Sequence, residues 1–236
     1  MPLLETIDVK VRFGGNVALD GVSVDAMAGD VTGLIGPNGA GKTTLFNVIT
    51  GLQVPTTGTV RLHGEDITAL KTHKRARLGL ARTFQRLELF GVLTAHDNVR
   101  LAAHLAGHAR PGHRADELLD RVGLADVGTV RADQLPTGQA RLVELARACA
   151  CEPKVLLLDE PASGLSEEET DAFGRTLREL AGEGMAVVLV EHDVLLVMAV
   201  CDRIHVLDTG RVLASGSASE IRDDERVHAA YLGGVA

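Results

Sequence analysis

Apolar and polar side chains alternate from Leu4 to Val11, the two-residue period of a strand with one face on a core. Val22 to Ala26 reads as a second strand. Val31-Thr32-Gly33-Leu34-Ile35 is short and mostly apolar and reads as a buried strand, with a helix expected from Thr44 to Ile49. After a turn at Pro55 to Gly58, strands are expected at Thr59 to Leu62 and Leu80 to Thr83. Val155-Leu156-Leu157-Leu158 and Ala186 to Val190 are continuous apolar runs, as expected of strands covered on both faces in a parallel sheet. Helical spacing covers Thr94 to Leu105 and Asp116 to Val122, with a break at His108 to Gly112. A further helix opens after Leu135 and runs through Ala150. Ser166 and Glu169 form a capping box for a helix towards Leu180. Arg203 to Leu207 and Val212 to Ala214 read as a closing hairpin across Asp208-Thr209-Gly210. Short helices are expected at Ser217 to Ile221 and Val227 to Leu232.

Strands alternating with helices imply an α/β fold with a mostly parallel core sheet. From about residue 88 to 150 the pattern turns helical, which reads as a subdomain inserted into a single domain spanning residues 1–236.

Composition adds limits. Of 236 residues, 45% are hydrophobic, enough for a substantial core. The net charge of −8 argues against nucleic acid as the main partner, because phosphate binding leaves a basic footprint. The basic run Lys71, His73, Lys74, Arg75, Arg77 reads as a solvated helix face. No run approaches the roughly 18–20 apolar residues of a membrane span, and no charged segment followed by an apolar run suggests a secretory signal. The three cysteines, Cys149, Cys151 and Cys201, read as small core residues in a reducing cytoplasm.

Chemistry enters at Gly36-Pro37-Asn38-Gly39-Ala40-Gly41-Lys42-Thr43-Thr44, a complete G-x-x-x-x-G-K-[ST] phosphate-binding loop between a strand and a helix. Its glycines let backbone N–H groups turn inward, and the helix dipole adds positive charge. Lys42 would neutralise the β- and γ-phosphates of a nucleotide. Thr43 would place its hydroxyl on Mg²⁺. Asp159 and Glu160 follow an apolar strand, where ligands bind in open α/β sheets. An Asp there can hold Mg²⁺, and the adjacent Glu can orient or deprotonate an attacking water. Phe13, beside Gly14-Gly15 in a chain with 3% aromatics, offers a face on which a base can stack.

The order of these motifs resembles the ATP-binding cassette (ABC) transporter ATPases, over essentially the whole chain. The resemblance implies an ABC-type P-loop fold with an antiparallel β subdomain and an inserted helical subdomain. It implies that Phe13 stacks on adenine, that Gly36 to Thr44 is the Walker A loop, and that Gln85 senses Mg²⁺ and water. It makes Asp159 the metal-holding acid, Glu160 the catalytic carboxylate, Ala162 to Ser166 the D-loop, and His192 the switch that contacts the γ-phosphate. The signature loop would be Leu135-Pro136-Thr137-Gly138-Gln139, departing from the usual Leu-Ser-Gly-Gly-Gln by losing the serine hydroxyl and one glycine. In the family this loop reaches ATP held by a second ATPase subunit.

Arg12-Phe13-Gly14-Gly15, Arg82-Thr83-Phe84-Gln85, Glu191-His192-Asp193 and Ala230-Tyr231-Leu232-Gly233 look like the branch serving branched-chain amino-acid importers. That branch implies a peripheral protein on the inner face of the cell membrane. Its partners would be integral membrane permease subunits and, through them, an extracytoplasmic solute-binding protein. Import of urea or short amides, export of lipopolysaccharide, and a non-transport ABC ATPase remain alternatives. A small-molecule kinase is disfavoured by Asp159-Glu160 and His192 together.

Overall fold

Two sheets carry the chain, and burial along each strand follows from the sheet it joins. In the computed structural model, which describes residues 1–232, β1 (Leu4–Phe13) and β2 (Asn16–Ala26) form a hairpin. The core strands are β3 (Val31–Ile35), β6 (Leu80–Arg82), β7 (Val155–Asp159), β8 (Ala186–Val190), β9 (Arg203–Asp208) and β10 (Arg211–Gly216). β4 (Thr57–Leu62) and β5 (Glu65–Asp66) complete an antiparallel sheet of order β2-β1-β4-β5. The core sheet has the order β10-β9-β3-β8-β7-β6 and is parallel except for β9 with β10. Every residue of β3, β7 and β8 is buried, as continuous apolar strands covered on both sides require.

The alternation in β1 changes parity midway. Leu4 and Thr6 are buried, then Val9 and Val11. The register with β2 shifts between Thr6 and Val9, and Asp8 takes φ 48°. This bulge returns Val9 and Val11 to the inner face. The hairpin is also longer than the residue pattern suggests. Phe13 pairs with Asn16 across Gly14-Gly15, so Phe13 ends a strand instead of lying on a loop.

α1 (Lys42–Thr50) sits between the two sheets. Its Leu45, Phe46, Val48 and Ile49 join Val9, Val60, Leu157 and Val188 in one core. The helix starts at Lys42, two residues earlier than expected. α2 (Thr72–Arg77) follows β5. Between β6 and β7 come α3 (Ala95–Leu105), α4 (Pro111–Arg121) and α5 (Thr137–Cys149). α4 starts inside the expected break because Pro111 is its first residue, where a missing N–H costs nothing. α6 (Glu167–Gly182) begins with the capping box of Ser166 and Glu169. α7 (Val194–Val200), α8 (Ala218–Arg222) and α9 (Glu225–Val227) follow. α7 was not visible in the pattern, because seven uninterrupted apolar residues carry no period. Gly233 of the ending Ala230-Tyr231-Leu232-Gly233 lies outside the described residues.

Two readings of the sequence are corrected. Lys71, His73, Lys74 and Arg77 are exposed, but Arg75 is 1% exposed. Its guanidinium donates to the carbonyls of Val48 and Ile49, both at 2.7 Å, in the last turn of α1. It also donates to Leu70 O at 2.9 Å and Thr68 O at 2.7 Å. Burial pulls its pKa below the usual arginine value. Cys149 and Cys201 are buried with thiol pKa values pushed up to about 12 by desolvation, whereas Cys151 is exposed and is not a core residue.

Candidate active site

The loop from Gly36 to Gly41 is wedged between β9 and β2, and only glycine fits its tightest points. A Cβ on Gly36, at φ 145°, would lie 2.0 Å from Leu207 O. One on Gly41, at φ 106°, would lie 2.6 Å from a Leu19 methyl and 2.8 Å from Ala18 O. Gly41 is the N-cap of α1, and no side chain of the described residues caps it. The helix therefore keeps its first-turn N–H groups for an anion. Lys42 is 7% exposed and curls over the loop, its Nζ donating to Gly36 O at 2.6 Å and Pro37 O at 3.0 Å. Desolvation lowers its pKa, and the nearby Glu160 and Asp159 pull it back up.

These groups border a cleft of about 540 Å³, also lined by Phe13, Thr43, Gln85, Glu160 and His192. Parallel pairing explains the convergence. β7 and β8 run in register, Asp159 beside Val190, so Glu160 and Glu191 leave the sheet at one edge. Glu160 N–H donates to Val190 O at 2.9 Å, and Glu160 takes φ 51°, a left-handed conformation costly for a residue with a Cβ. From there its Oε1 meets His192 Nε2 at 2.8 Å, and its Oε2 accepts from Gln85 Nε2 at 3.0 Å. Three side chains expected to act together are thus joined at one carboxylate.

Asp159 points deeper. It is 2% exposed and pairs with Arg82 Nη2 at 2.8 Å. Arg82 Nη1 donates to Asn47 Oδ1 at 2.7 Å, and the guanidinium lies over the Phe46 and Phe84 rings at 5.3 and 4.8 Å. Sequence reasoning gave Arg82 no role of its own. The available signal was a lone arginine in an otherwise apolar strand, three residues before Gln85. Glu191 was missed likewise. It is buried, which raises its pKa, and it accepts from Ala162 N–H at 2.7 Å and His192 N–H at 3.1 Å. It ties the segment after Glu160 to the backbone of His192.

Leu135 to Gln139 do not line the cleft. α5 begins there at Thr137, with Pro136 at the N-cap position. Gly138 packs on the Gly164 backbone so closely that a Cβ would come within 2.8 Å of Gly164 O.

The donors suit a nucleotide polyphosphate. Among the described residues no group of three or more His, Cys, Asp or Glu could hold a metal ion. A hydroxyl at Thr43 and a carboxylate at Asp159 are hard oxygen donors, which suit Mg²⁺ when phosphate oxygens and water complete its shell. Phe13 is half exposed at the cleft edge. Phe13→Ala is expected to weaken ATP binding by roughly 1–3 kcal/mol, the range for base–aromatic stacking. The fold should survive, and a titration with a fluorescent ATP analogue reads the effect. Unchanged affinity with a lowered melting temperature would instead make Phe13 a packing residue.

Known proteins resemble the chain along most of its length. Residues 19–163 match the family model described as ABC transporter, and residues 211–236 match that of the branched-chain amino acid ATP-binding cassette transporter. The chain is 42% identical to BraF of Pseudomonas aeruginosa, a high-affinity branched-chain amino acid transport ATP-binding protein, over 98% of each chain. It is 36% identical to LivG of Escherichia coli, which carries the same description, again over 98% of each. A solved structure of the ADP conformation of an ATP-binding cassette of an ABC transporter matches with TM-score 0.90 at 30% identity, covering 99% of both chains. Since the family model runs from β2 through the phosphate loop to the residues after Glu160, and its relatives align along nearly the whole chain, this protein belongs to the ABC transporter family as one of its nucleotide-binding ATPase subunits.

Proposed function

We propose that this ATPase drives uptake of branched-chain amino acids through a membrane permease. The observation that carries the hydrolytic part is the Glu160 carboxylate, held at one oxygen by Gln85 and at the other by His192, beside an uncapped phosphate-binding helix. In this reading Phe13 stacks on adenine, and the Gly36–Thr44 backbone and Lys42 cradle the phosphates. Lys42 Nζ exchanges its two carbonyl partners for phosphate oxygens. Thr43, Asp159 and Gln85 would hold Mg²⁺, which supplies charge neutralisation for the β- and γ-phosphates. Glu160 orients the attacking water and takes its proton. His192 donates a hydrogen bond to the γ-phosphate.

The match of the last residues to the branched-chain amino acid model, with BraF and LivG as relatives, supports the substrate class. Two features support the partners. Leu135 to Gln139 lie away from their own cleft, so they are offered to nucleotide on a second ATPase subunit. No described helix is long and apolar enough to cross a membrane, and in this reading the passage is formed by permease subunits, as the transport names of BraF and LivG support. We place the protein at the inner face of the membrane, with a solute-binding protein engaging the permease from outside, and take residues 88–150 as the inserted helical subdomain.

The permease contact is assigned to a groove of about 970 Å³ bordered by Leu78, Phe84, Phe90, Leu101 and Leu105. The apolar loop ahead of α3 divides its work here. Leu89 packs on the helical core, while Phe90 is 52% exposed in the groove. Phe90→Ser is therefore expected to spare ATP binding by the isolated subunit and to weaken permease association at least tenfold in co-purification or surface binding. A well-folded variant that binds the permease at wild-type affinity would remove Phe90 from the contact. The function itself is tested by ATP-driven uptake of labelled leucine, isoleucine and valine into right-side-out vesicles that carry the permease and hold ATP and this subunit inside. Uptake that persists without this subunit would overturn the reading.

A further inference from the structure

Behind the cleft, α5 presents charged side chains that the proposed chemistry leaves unused. Arg141 and Glu144 lie about one helical turn apart, with side chains 8% and 2% exposed and their charges paired at 3.2 Å. Their remaining hydrogen bonds leave the helix. Arg141 Nη1 donates to Phe84 O at 2.7 Å, and Nη2 donates to Gln85 O. Glu144 Oε1 accepts from Glu88 N–H at 2.7 Å, and Arg147 Nη1 donates to Glu88 O at 2.5 Å. Burial raises the pKa of Glu144 against the pull of both arginines.

A buried ion pair is a weak source of stability, since apolar residues of similar volume often serve as well. What this pair does supply is geometry. β6 ends at Arg82, so the backbone groups of residues 84, 85 and 88 need partners from elsewhere. They receive them from a helix whose first residues are Thr137-Gly138-Gln139, one turn before Arg141. These hydrogen bonds from α5 all go to the backbone of the segment, and the Gln85 side chain stays on Glu160.

We propose that Arg141 and Glu144 are positioning residues for hydrolysis. They make Phe84–Glu88 and α5 one body, so that displacement of Gln85 at its own nucleotide is carried to Leu135–Gln139, the loop offered to the second subunit's nucleotide. This rests on the roles proposed above for Gln85 and for that loop.

The test uses the full-length chain with Arg141→Met and Glu144→Met together, which removes the holds on Phe84, Gln85 and the Glu88 N–H, leaves only Arg147 on Glu88 O, and strands neither charge of the buried pair. Expected are ATP affinity within about twofold of the parent and turnover at saturating ATP lowered about tenfold or more, a kcat effect without a matching KM effect. The change in amide hydrogen exchange over residues 135–139 on adding ATP should be lost. In a Gln85→Ala background the same pair should lower turnover no further, the mark of action through Gln85. Parent-like turnover and exchange in the folded variant would overturn the proposal, as would an equal fall in both backgrounds, which marks general structural support. If the double variant does not fold, Arg141→Lys is read through the same cycle, because Lys keeps the charge opposite Glu144 but not the forked donors. Parent-like turnover in Gln85→Ala alone would instead sink the role of Gln85.

Discussion

Replacing Glu160 with Gln is expected to leave ATP binding intact and to lower steady-state ATP turnover by about 10²-fold or more, the scale of a lost acid–base group. Shape is preserved, so the effect isolates the carboxylate. Its Oε1 faces His192 Nε2 and its Oε2 faces Gln85 Nε2. A glutamine can keep both contacts, its amide oxygen accepting from Gln85 Nε2 and its NH₂ donating to His192 Nε2 in the Nδ1–H tautomer, but it takes up no proton from water. Binding depends on Lys42, the uncapped start of α1 and the glycine loop, none of which the substitution touches. Removing a negative charge near Lys42 acts in favour of phosphate binding. Steady-state phosphate release and nucleotide affinity, measured on the same preparation, separate the two. Turnover within a few-fold of the parent would take Glu160 out of the role of general base.

What the sequence disclosed follows how local each constraint is. The phosphate loop is legible because the need for glycine at Gly36 and Gly41 and for Lys42 at the helix start is written into nine consecutive residues. The buried strands β7 and β8 are legible because covering both faces removes polar residues. The convergence of Gln85, Glu160 and His192 could be expected only from motif order, since it depends on β6, β7 and β8 lying side by side in register. The left-handed backbone of Glu160 leaves no mark, because its residue type is chosen for chemistry against conformational preference. Arg82 and Glu191 escaped for the same reason. Each serves partners far along the chain, Asp159 and Asn47 for one and Ala162 for the other. The distance of Leu135–Gln139 from the cleft is likewise a property of the fold and not of the loop.

Arg75 is the sharpest case of a misleading pattern, and it leads to the second large effect. Four cations within seven residues, with one histidine, read as a solvated face, yet one of them is buried against the carboxyl end of the helix that holds the phosphate loop. Arg75 supplies donors to Val48, Ile49, Leu70 and Thr68 carbonyls at once. It lies so close to Gly51 that a Cβ there would come within 2.9 Å of its Nε. A cation at this end also complements the helix dipole. Arg75→Ala leaves these carbonyls short of donors, at about 1–3 kcal/mol for each buried group left unsatisfied. Rearrangement and entry of water offset part of this, so a net loss of about 3–5 kcal/mol is expected, the cost of breaking a buried polar network. In a chain of this size that corresponds to a melting temperature lower by roughly 6–20 °C. Lys74→Ala, one residue away on the exposed side, should stay within about 0.5 kcal/mol of the parent. Thermal melts of the two variants decide the matter. Equal small shifts would mean that the carbonyls around Arg75 find other partners, whereas a large shift confined to Arg75→Ala identifies this arginine as the anchor of α1.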